Sequence, residues 1–145
     1  MNIESSIFRE YDIRGTYPEQ INESSIKSIA FAIAKRCKKD NISTLVVGRD
    51  GRMSGPALLE AFCEGLIESG INVDNIGLVT SPLLYFAAKK SASKSGIMIT
   101  GSHNPKNYNG IKMVINDSPI SGTEIYTLIN HEKNTNLFFP GIKKS

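Results

Sequence analysis

Tryptophan is absent from this 145-residue chain, and cysteine occurs only twice, at Cys37 and Cys63. Neither cysteine has a second cysteine or a histidine at metal-ligand spacing, so the sequence does not indicate a zinc site. No apolar run approaches the ~18 residues of a membrane-spanning helix. The amino terminus also lacks the charged-then-apolar pattern of a secretory signal. We therefore expect a cytoplasmic protein with buried free thiols and no membrane partner.

The chain carries only a small excess of positive charge. The formal net charge is +3, and the basic residues are spread along the sequence rather than clustered. This pattern gives no support to a nucleic-acid partner. The hydrophobic share of 40% and the charged share of 21% are typical of one globular domain that can bury its own core.

Hydrophobic periodicity predicts strands and helices that alternate along the chain. Strands are predicted at residues 7–13, 44–48, 73–76, 97–99 and 111–115, and helices at residues 24–40, 54–70, from residue 80 or 81, and from residue 121. The last two strands are too close in sequence for a crossover helix, so we expect them to pair antiparallel. The predicted fold is a single three-layer α/β domain, with a mixed β-sheet flanked by helices on both faces.

The loop between those last two strands carries a serine next to a histidine, in the sequence GIMITGSHNPKNYNGIKMVI (residues 96–115). Ser102 does not fit a nucleophile elbow, because Asn104 stands where that motif needs glycine. The segment also lacks the lysine of a nucleotide P-loop. A serine among His103 and nearby lysines suits phosphate chemistry. The same residues could form a plain turn, since serine, asparagine and proline all favour turns.

Two further predicted strand ends carry arginine. Arg14 lies in YDIRG (residues 11–15), and VGRDGRMSG (residues 47–55) holds Arg49 and Arg52 before a predicted helix. Two arginines at a helix amino terminus could bind an anion, or could be solvated side chains around an Asp-Gly turn. Because active sites of open α/β sheets gather at strand ends, we expect these arginines and the serine loop to form one site.

Three segments together resemble the first domain of the α-D-phosphohexomutases. They are FREYDIRG (residues 8–15), VGRDGRMSG and TGSHNP with NGIKM after it (residues 100–113), in that family's order. The resemblance is strongest to bacterial phosphomannomutase/phosphoglucomutase, with the phosphoglucosamine mutases as the nearest alternative. It implies that residues 1–145 are domain I of a four-domain enzyme, without the later domains.

The resemblance also implies roles for individual residues. Ser102 would hold the transferable phosphoryl group and bind Mg²⁺ through it, and Lys112 would move a proton to or from a sugar hydroxyl. The other residues that match the family pattern are His103 and Arg14 in catalysis, and Tyr11 and Asn104 in substrate binding. The implied reaction interconverts hexose 1-phosphate and hexose 6-phosphate, of mannose or glucose, through a hexose 1,6-bisphosphate.

The sequence departs from that family by lacking the Asp-x-Asp-x-Asp metal loop of the second domain. The remaining Mg²⁺ ligands are expected from that domain, and the expected partners are a phosphorylated hexose and the other domains of the enzyme. We therefore expect the chain to be inactive alone. Two alternatives stay open: a non-catalytic module that binds a phosphorylated ligand or a partner protein, and a Ser/His hydrolase, for which no acid partner is recognisable.

Overall fold

The computed structural model describes residues 3–135, with side chains through residue 129, and its centre is a six-stranded mixed sheet. The strands run in the spatial order β1, β5, β4, β2, β3, and β6 pairs with β5. Their bounds are β1 Ile13–Thr16, β2 Thr44–Arg49, β3 Asn72–Leu78, β4 Gly96–Ile99, β5 Tyr108–Ile115 and β6 Ser118–Pro119. β2 pairs parallel with β3 and β4, whereas β5 pairs antiparallel with β4 and β1. The mixed sheet and the antiparallel pairing of the last two predicted strands are confirmed.

Four helices connect and cover the strands, as predicted. They are α1 Glu23–Lys39, α2 Gly55–Glu68, α3 Ser81–Lys90 and α4 Gly122–Thr135. α1 begins where Asn22 and Ser25 form a capping box, in which each side chain accepts the other's backbone N–H. Thr80 caps α3 by accepting a hydrogen bond from Leu83 N. Among the residues that the structure describes, no helix is both long and apolar enough to cross a bilayer.

The two faces of the sheet are covered unequally. α1, α2 and α4 contribute to the main hydrophobic core on one face, whereas a small cluster of Val46, Leu84 and Met98 forms under α3 on the other. α3 packs on β2 and β4, so the same face of β1 and β5 lies beside this helix rather than beneath it. That half of the sheet face is where polar side chains can reach a ligand.

The first strand starts later than its sequence pattern predicts. Residues Ser5–Ile7 form a 3-10 turn, and Arg9 N donates to Asp12 O (2.9 Å) in a tight turn that precedes β1. The predicted alternation is wrong at Tyr11, which is 79% exposed. The pairing with β5 begins only at Ile13, because that residue lies opposite Ile111.

Two local details also differ from the sequence prediction. Ser54 precedes α2 as expected but does not cap it through its side chain; its Oγ accepts a hydrogen bond from Asn109 Nδ2 instead (2.7 Å). The strand β6 was not predicted. It follows Asn116 and Asp117, which both adopt positive φ (54° and 65°) and form the tight turn of a hairpin with β5.

Both cysteines are free thiols. Cys37 is buried, as predicted, whereas Cys63 is only half-buried. Burial raises the pKa of Cys37 to about 12 and that of Cys63 to about 11. Both thiols are therefore protonated and unreactive near neutral pH.

Candidate active site

A cleft of about 470 Å³ opens on the sheet face beside α3. One wall is the serine loop, which we define as residues 100–107 between β4 and β5. The opposite wall is the turn before β1. The cleft is lined by Arg9, Glu10, Tyr11, Asp12, Arg14, Ser102, His103, Asn104 and Lys112. All six residues that were proposed from the sequence therefore line one cavity.

Strand register explains why Lys112 reaches this cleft. Lys112 lies directly opposite Met98 on β4, and Met98 packs under α3. Its neighbours Ile111 and Met113 point to the other face, where they are buried in the main core. The half-buried Lys112 side chain therefore lies on the α3 face, within the body of the sheet. The cleft thus extends from the strand ends, where the sequence predicted the site, onto the α3 face of the sheet.

Arg14 enters the cleft from the adjacent strand, opposite Gly110. A Cβ atom at Gly110 would lie 2.0 Å from Ile13 O, so only glycine permits this close approach of β1 and β5. Arg14 Nε is 3.5 Å from Asp12 Oδ1, yet it is buried without a hydrogen-bond partner in the structure. A buried guanidinium N–H without an acceptor is costly, which makes this group ready to bind an anion.

Ser102 lies half-buried at the rim of the cleft in an unusual backbone conformation. Its φ is +52°, a region that non-glycine residues rarely adopt. Ser102 N donates to Thr100 Oγ1 (3.0 Å), and Thr100 Oγ1 donates in turn to Asp50 Oδ2 (2.7 Å). These side-chain hydrogen bonds replace regular strand pairing where β4 ends, so the loop is held by residues of the β2–α2 connection.

The other predicted residues occupy different positions around the serine. His103 is exposed beside it, and Tyr11 is exposed on the opposite wall. Asn104 is partly used by the loop itself, because its Nδ2 donates to Gly101 O (3.0 Å). Its assigned part in substrate binding remains a prediction.

Three lining residues were not singled out from the sequence: Arg9, Glu10 and Asp12. Asp12 is the most informative, since it is a carboxylate only 7% exposed. Burial of the Tyr85 side chain on α3 raises its pKa, and the charge of Asp12 raises it further. Asp12 therefore lies near that helix as well as near Arg14. A charged residue next to a buried strand is the sequence signal that could have identified it.

Arg49 at the end of β2 and Arg52 shortly after it are not among the residues that line the cleft. Arg52 lies behind the serine loop and binds its backbone, and Arg49 Nη1 donates to Asp50 O (3.1 Å). The prediction that they join the anion site is therefore corrected. Both guanidinium groups are engaged by backbone carbonyls, which no local pattern in the sequence reveals.

The described residues do not form a metal site by themselves. Within residues 3–129, no group of three or more His, Cys, Asp or Glu side chains is placed to hold an ion. The residues present therefore do not fit a complete Mg²⁺ site. The sequence analysis proposed one Mg²⁺ ligand from this chain, a phosphate on Ser102, and that proposal remains a prediction.

Fold and cleft together define an α/β/α domain that presents a serine to a cationic pocket. The chain matches the family model described as "Phosphoglucomutase/phosphomannomutase, alpha/beta/alpha domain I" over residues 5–136. It belongs to this family. The recognition of the family from its sequence segments is thereby confirmed.

Relatives and a solved structure agree with that assignment. The chain is 44% identical over 128 residues to a phosphoglucomutase of Neisseria gonorrhoeae, covering 88% of this chain and 28% of that protein. It is 44% identical over 132 residues to a phosphomannomutase/phosphoglucomutase of Pseudomonas syringae pv. tomato, covering 91% and 28%. A crystal structure of a phosphoglucomutase/phosphomannomutase family protein from Burkholderia thailandensis superposes with a TM-score of 0.87 at 36% identity, covering 97% of this chain and 32% of that one. The chain thus spans under a third of the length of these relatives.

Proposed function

We propose that this chain is the serine-bearing domain of a phosphosugar mutase that interconverts the 1-phosphate and 6-phosphate of mannose or glucose. The observation that carries the proposal is that Ser102, Arg14 and Lys112 line one cleft in a domain of the phosphoglucomutase/phosphomannomutase family. A phosphoryl carrier, an anion-binding group and a proton-transfer group are three of the parts that such a reaction needs from the protein.

In the first half-reaction, a hydroxyl oxygen of the sugar monophosphate attacks the phosphorus on Ser102. The bond from Oγ to phosphorus breaks, and a new sugar O–P bond forms, which gives the hexose 1,6-bisphosphate. The hydroxyl proton passes to Lys112 Nζ, the proposed general base, which hands a proton to the leaving Ser102 Oγ. Arg14, whose buried Nε–H has no hydrogen-bond acceptor, binds the transferring phosphoryl oxygens, because charge stabilisation dominates catalysis of this kind of step.

In the second half-reaction, the bisphosphate reorients and its other phosphate returns to Ser102. Ser102 Oγ attacks that phosphorus and gives its proton to Lys112 Nζ, the sugar O–P bond breaks, and Lys112 passes a proton to the leaving sugar oxygen. The phosphoserine is regenerated, and the product is the isomeric monophosphate. Only one serine is needed, since the intermediate rather than the protein changes orientation.

The remaining parts of the site would come from beyond this chain. Mg²⁺, when bound, supplies positive charge to the phosphoryl oxygens. The chain would contact it through the Ser102 phosphate. The Neisseria and Pseudomonas relatives are more than three times as long as the matched segment, so the sugar-binding groups and other metal ligands are proposed to lie in their additional length.

A chimera tests this function directly. Residues 5–136 replace the matching segment of the Pseudomonas syringae relative, and the chimera is supplied with hexose 1,6-bisphosphate labelled in its phosphates. We expect a covalent label on Ser102, found by peptide mass spectrometry, and interconversion of mannose 1-phosphate and mannose 6-phosphate. Ser102→Ala should abolish both, because no oxygen remains to carry the phosphoryl group.

A folded chimera that takes up no label on Ser102 would contradict the proposal. If it still binds hexose phosphates, the non-catalytic module becomes the better description. Hydrolysis of a simple ester that depends on Ser102 would instead favour the Ser/His hydrolase.

A further inference from the structure

Behind the serine loop, four backbone carbonyls converge on one side chain. Arg52 Nη2 donates to Ser102 O (3.0 Å) and Asn104 O (2.7 Å). Arg52 Nη1 donates to Tyr108 O (3.2 Å) and to Pro105 O. The two terminal nitrogens carry four N–H groups in total, so each has an acceptor in the loop or at its end.

Such convergence requires an arginine. Carbonyl oxygens that point at one place repel one another, and a buried carbonyl without a donor costs free energy. Lysine offers only three donors from a single nitrogen and cannot match a planar fork. The Arg52 side chain is only 15% exposed, so water cannot easily substitute for it.

Gly101 makes room for this guanidinium. A Cβ atom at that position would lie 2.0 Å from Arg52 Nε and 2.1 Å from Arg52 Cζ. Since both atoms belong to the rigid planar group that binds four carbonyls, they could not move aside without losing those hydrogen bonds. Gly101 and Arg52 are therefore sterically complementary, although they lie about fifty residues apart in the sequence.

Asp50 holds the other side of the same loop. Its Oδ2 accepts from Gly101 N (3.1 Å) as well as from Thr100 Oγ1, and its Oδ1 accepts from Arg52 N (3.2 Å). Asp50 Oδ2 is also 3.9 Å from Arg52 Nε, so the two side chains form an ion pair. Asp50 thus accepts from one N–H and one hydroxyl of the loop, and Arg52 binds the loop carbonyls.

We propose that Arg52, paired with Asp50, is a positioning residue that holds Ser102 in its positive-φ conformation with Oγ toward the cleft. This inference rests on the proposed function, since it concerns how the phosphoryl-carrying serine is presented. Holding a non-glycine residue at φ +52° costs free energy. The hydrogen bonds from Arg52 offset that cost. Arg52 acts through the loop backbone and is not among the residues that line the cleft.

The test uses the 145-residue chain with phosphoserine genetically encoded at position 102. Arg52→Lys keeps the charge and removes the fork, and Gly101→Ala keeps Arg52 but displaces its guanidinium. Arg36→Lys is the matched control. Arg36 is a similarly half-buried arginine (19% exposed) that pairs with Asp40 and Glu124, remote from the serine loop.

Two measurements are made on each protein. Amide hydrogen exchange of Gly101, Ser102 and Asn104 should be about tenfold faster in Arg52→Lys and Gly101→Ala, because both variants lose hydrogen bonds that hold the loop. Phosphorus NMR titration reports the second pKa of the phosphoserine, which is about 6 when free. The charged groups facing it are Arg9, Glu10, Asp12, Arg14, His103 and Lys112.

In the parent chain we expect the phosphoserine pKa to lie below that of a peptide of residues 99–106, because Arg14 and Lys112 favour the dianion. It should return toward the peptide value in both loop variants and keep the parent value in Arg36→Lys. A general loss of stability would not move this signal, because each variant is compared under conditions where circular dichroism shows it folded.

The proposal is overturned if Arg52→Lys keeps the parent exchange rates and phosphorus signature, or if Arg36→Lys changes them equally. A parent phosphoserine that titrates like the peptide counts against the proposed function instead. In that case the exchange rates alone decide: faster loop exchange confined to the two loop variants supports the positioning role, and unchanged exchange overturns it.

Discussion

Lys112 and Arg14 reach the cleft from adjacent antiparallel strands, and each is held by a different local constraint. Lys112 is flanked along β5 by two residues of the main core, so its side chain has only the α3 face available. Arg14 lies beside Asp12 and keeps one buried N–H without an acceptor. At the scale of the residue, the site therefore offers cationic groups with fixed directions rather than mobile surface charges.

Lys112→Met is the residue-scale prediction. In the chimera described above, this change should lower kcat by about 10²–10⁴, the usual contribution of a general acid–base group. KM should change less, and thermal unfolding should stay close to that of the parent, since methionine retains the apolar part of the side chain. Steady-state kinetics and a melting curve measure all three quantities.

Lys89→Met provides the control, because Lys89 is an exposed lysine on α3 and is not among the cleft-lining residues. It should leave kcat within about threefold of the parent, as expected for a surface change. If Lys112→Met behaved the same way, its assignment as the proton-transfer group would be wrong. A loss confined to KM would make Lys112 a phosphate-binding residue.

At the scale of the element, the pairing of β1 with β5 decides whether the cleft forms. Arg14 lies opposite Gly110, and Asn109 next to it is fully buried. The Asn109 side chain donates to Ser54 Oγ at the start of α2 and accepts from Gly110 N (2.9 Å). The start of β5 is thus connected both to the β1 strand and to the α2 helix.

Gly110→Ala should disrupt this pairing. The added methyl group would overlap Ile13 O, so the strands must separate, and we expect a loss of about 1–3 kcal/mol in the free energy of unfolding. Urea denaturation of the 145-residue chain measures it. Gly51→Ala is the matched change, because nothing lies within 4 Å of a Cβ atom there. That variant should stay within about 0.5 kcal/mol of the parent, and an equal loss in both variants would refute the steric argument.

At the scale of the whole molecule, the proposed mutase reaction needs groups that the described residues do not supply. The cleft is open on the sheet face, and the chain spans 28% of the length of the Neisseria and Pseudomonas relatives. Phosphoryl transfer needs a held metal ion and a positioned substrate. The described residues supply neither a metal-binding cluster nor an enclosed sugar site.

The purified 145-residue chain should therefore not interconvert mannose 1-phosphate and mannose 6-phosphate at an enzymatic rate. A coupled assay with Mg²⁺ and hexose 1,6-bisphosphate should give a rate indistinguishable from a blank without protein. The chimera, assayed in parallel, shows that the assay works. Robust turnover by the chain alone would mean that one domain is sufficient.

The sequence by itself determined those features that depend on neighbours within a few residues. The bounds of α1 are local, because an apolar stripe and a cap at Asn22 act within single helical turns. The orientation of Lys112 is also local, since strand alternation alone places it opposite Ile111 and Met113. The serine loop was recognisable for the same reason: its glycine, asparagine and proline each favour a turn where they stand.

Only the tertiary structure decided which distant residues meet. The sequence predicted that the first strand begins at residue 7, whereas β1 begins at Ile13. The difference arises because a strand exists only where a partner strand pairs with it. Arg52 was expected in the anion site and instead binds the loop carbonyls about fifty residues later. Asp12 became part of the cleft because β1 lies next to β5 rather than next to β2. Strand order and register arise from the packing of the whole core, so no local pattern contains them.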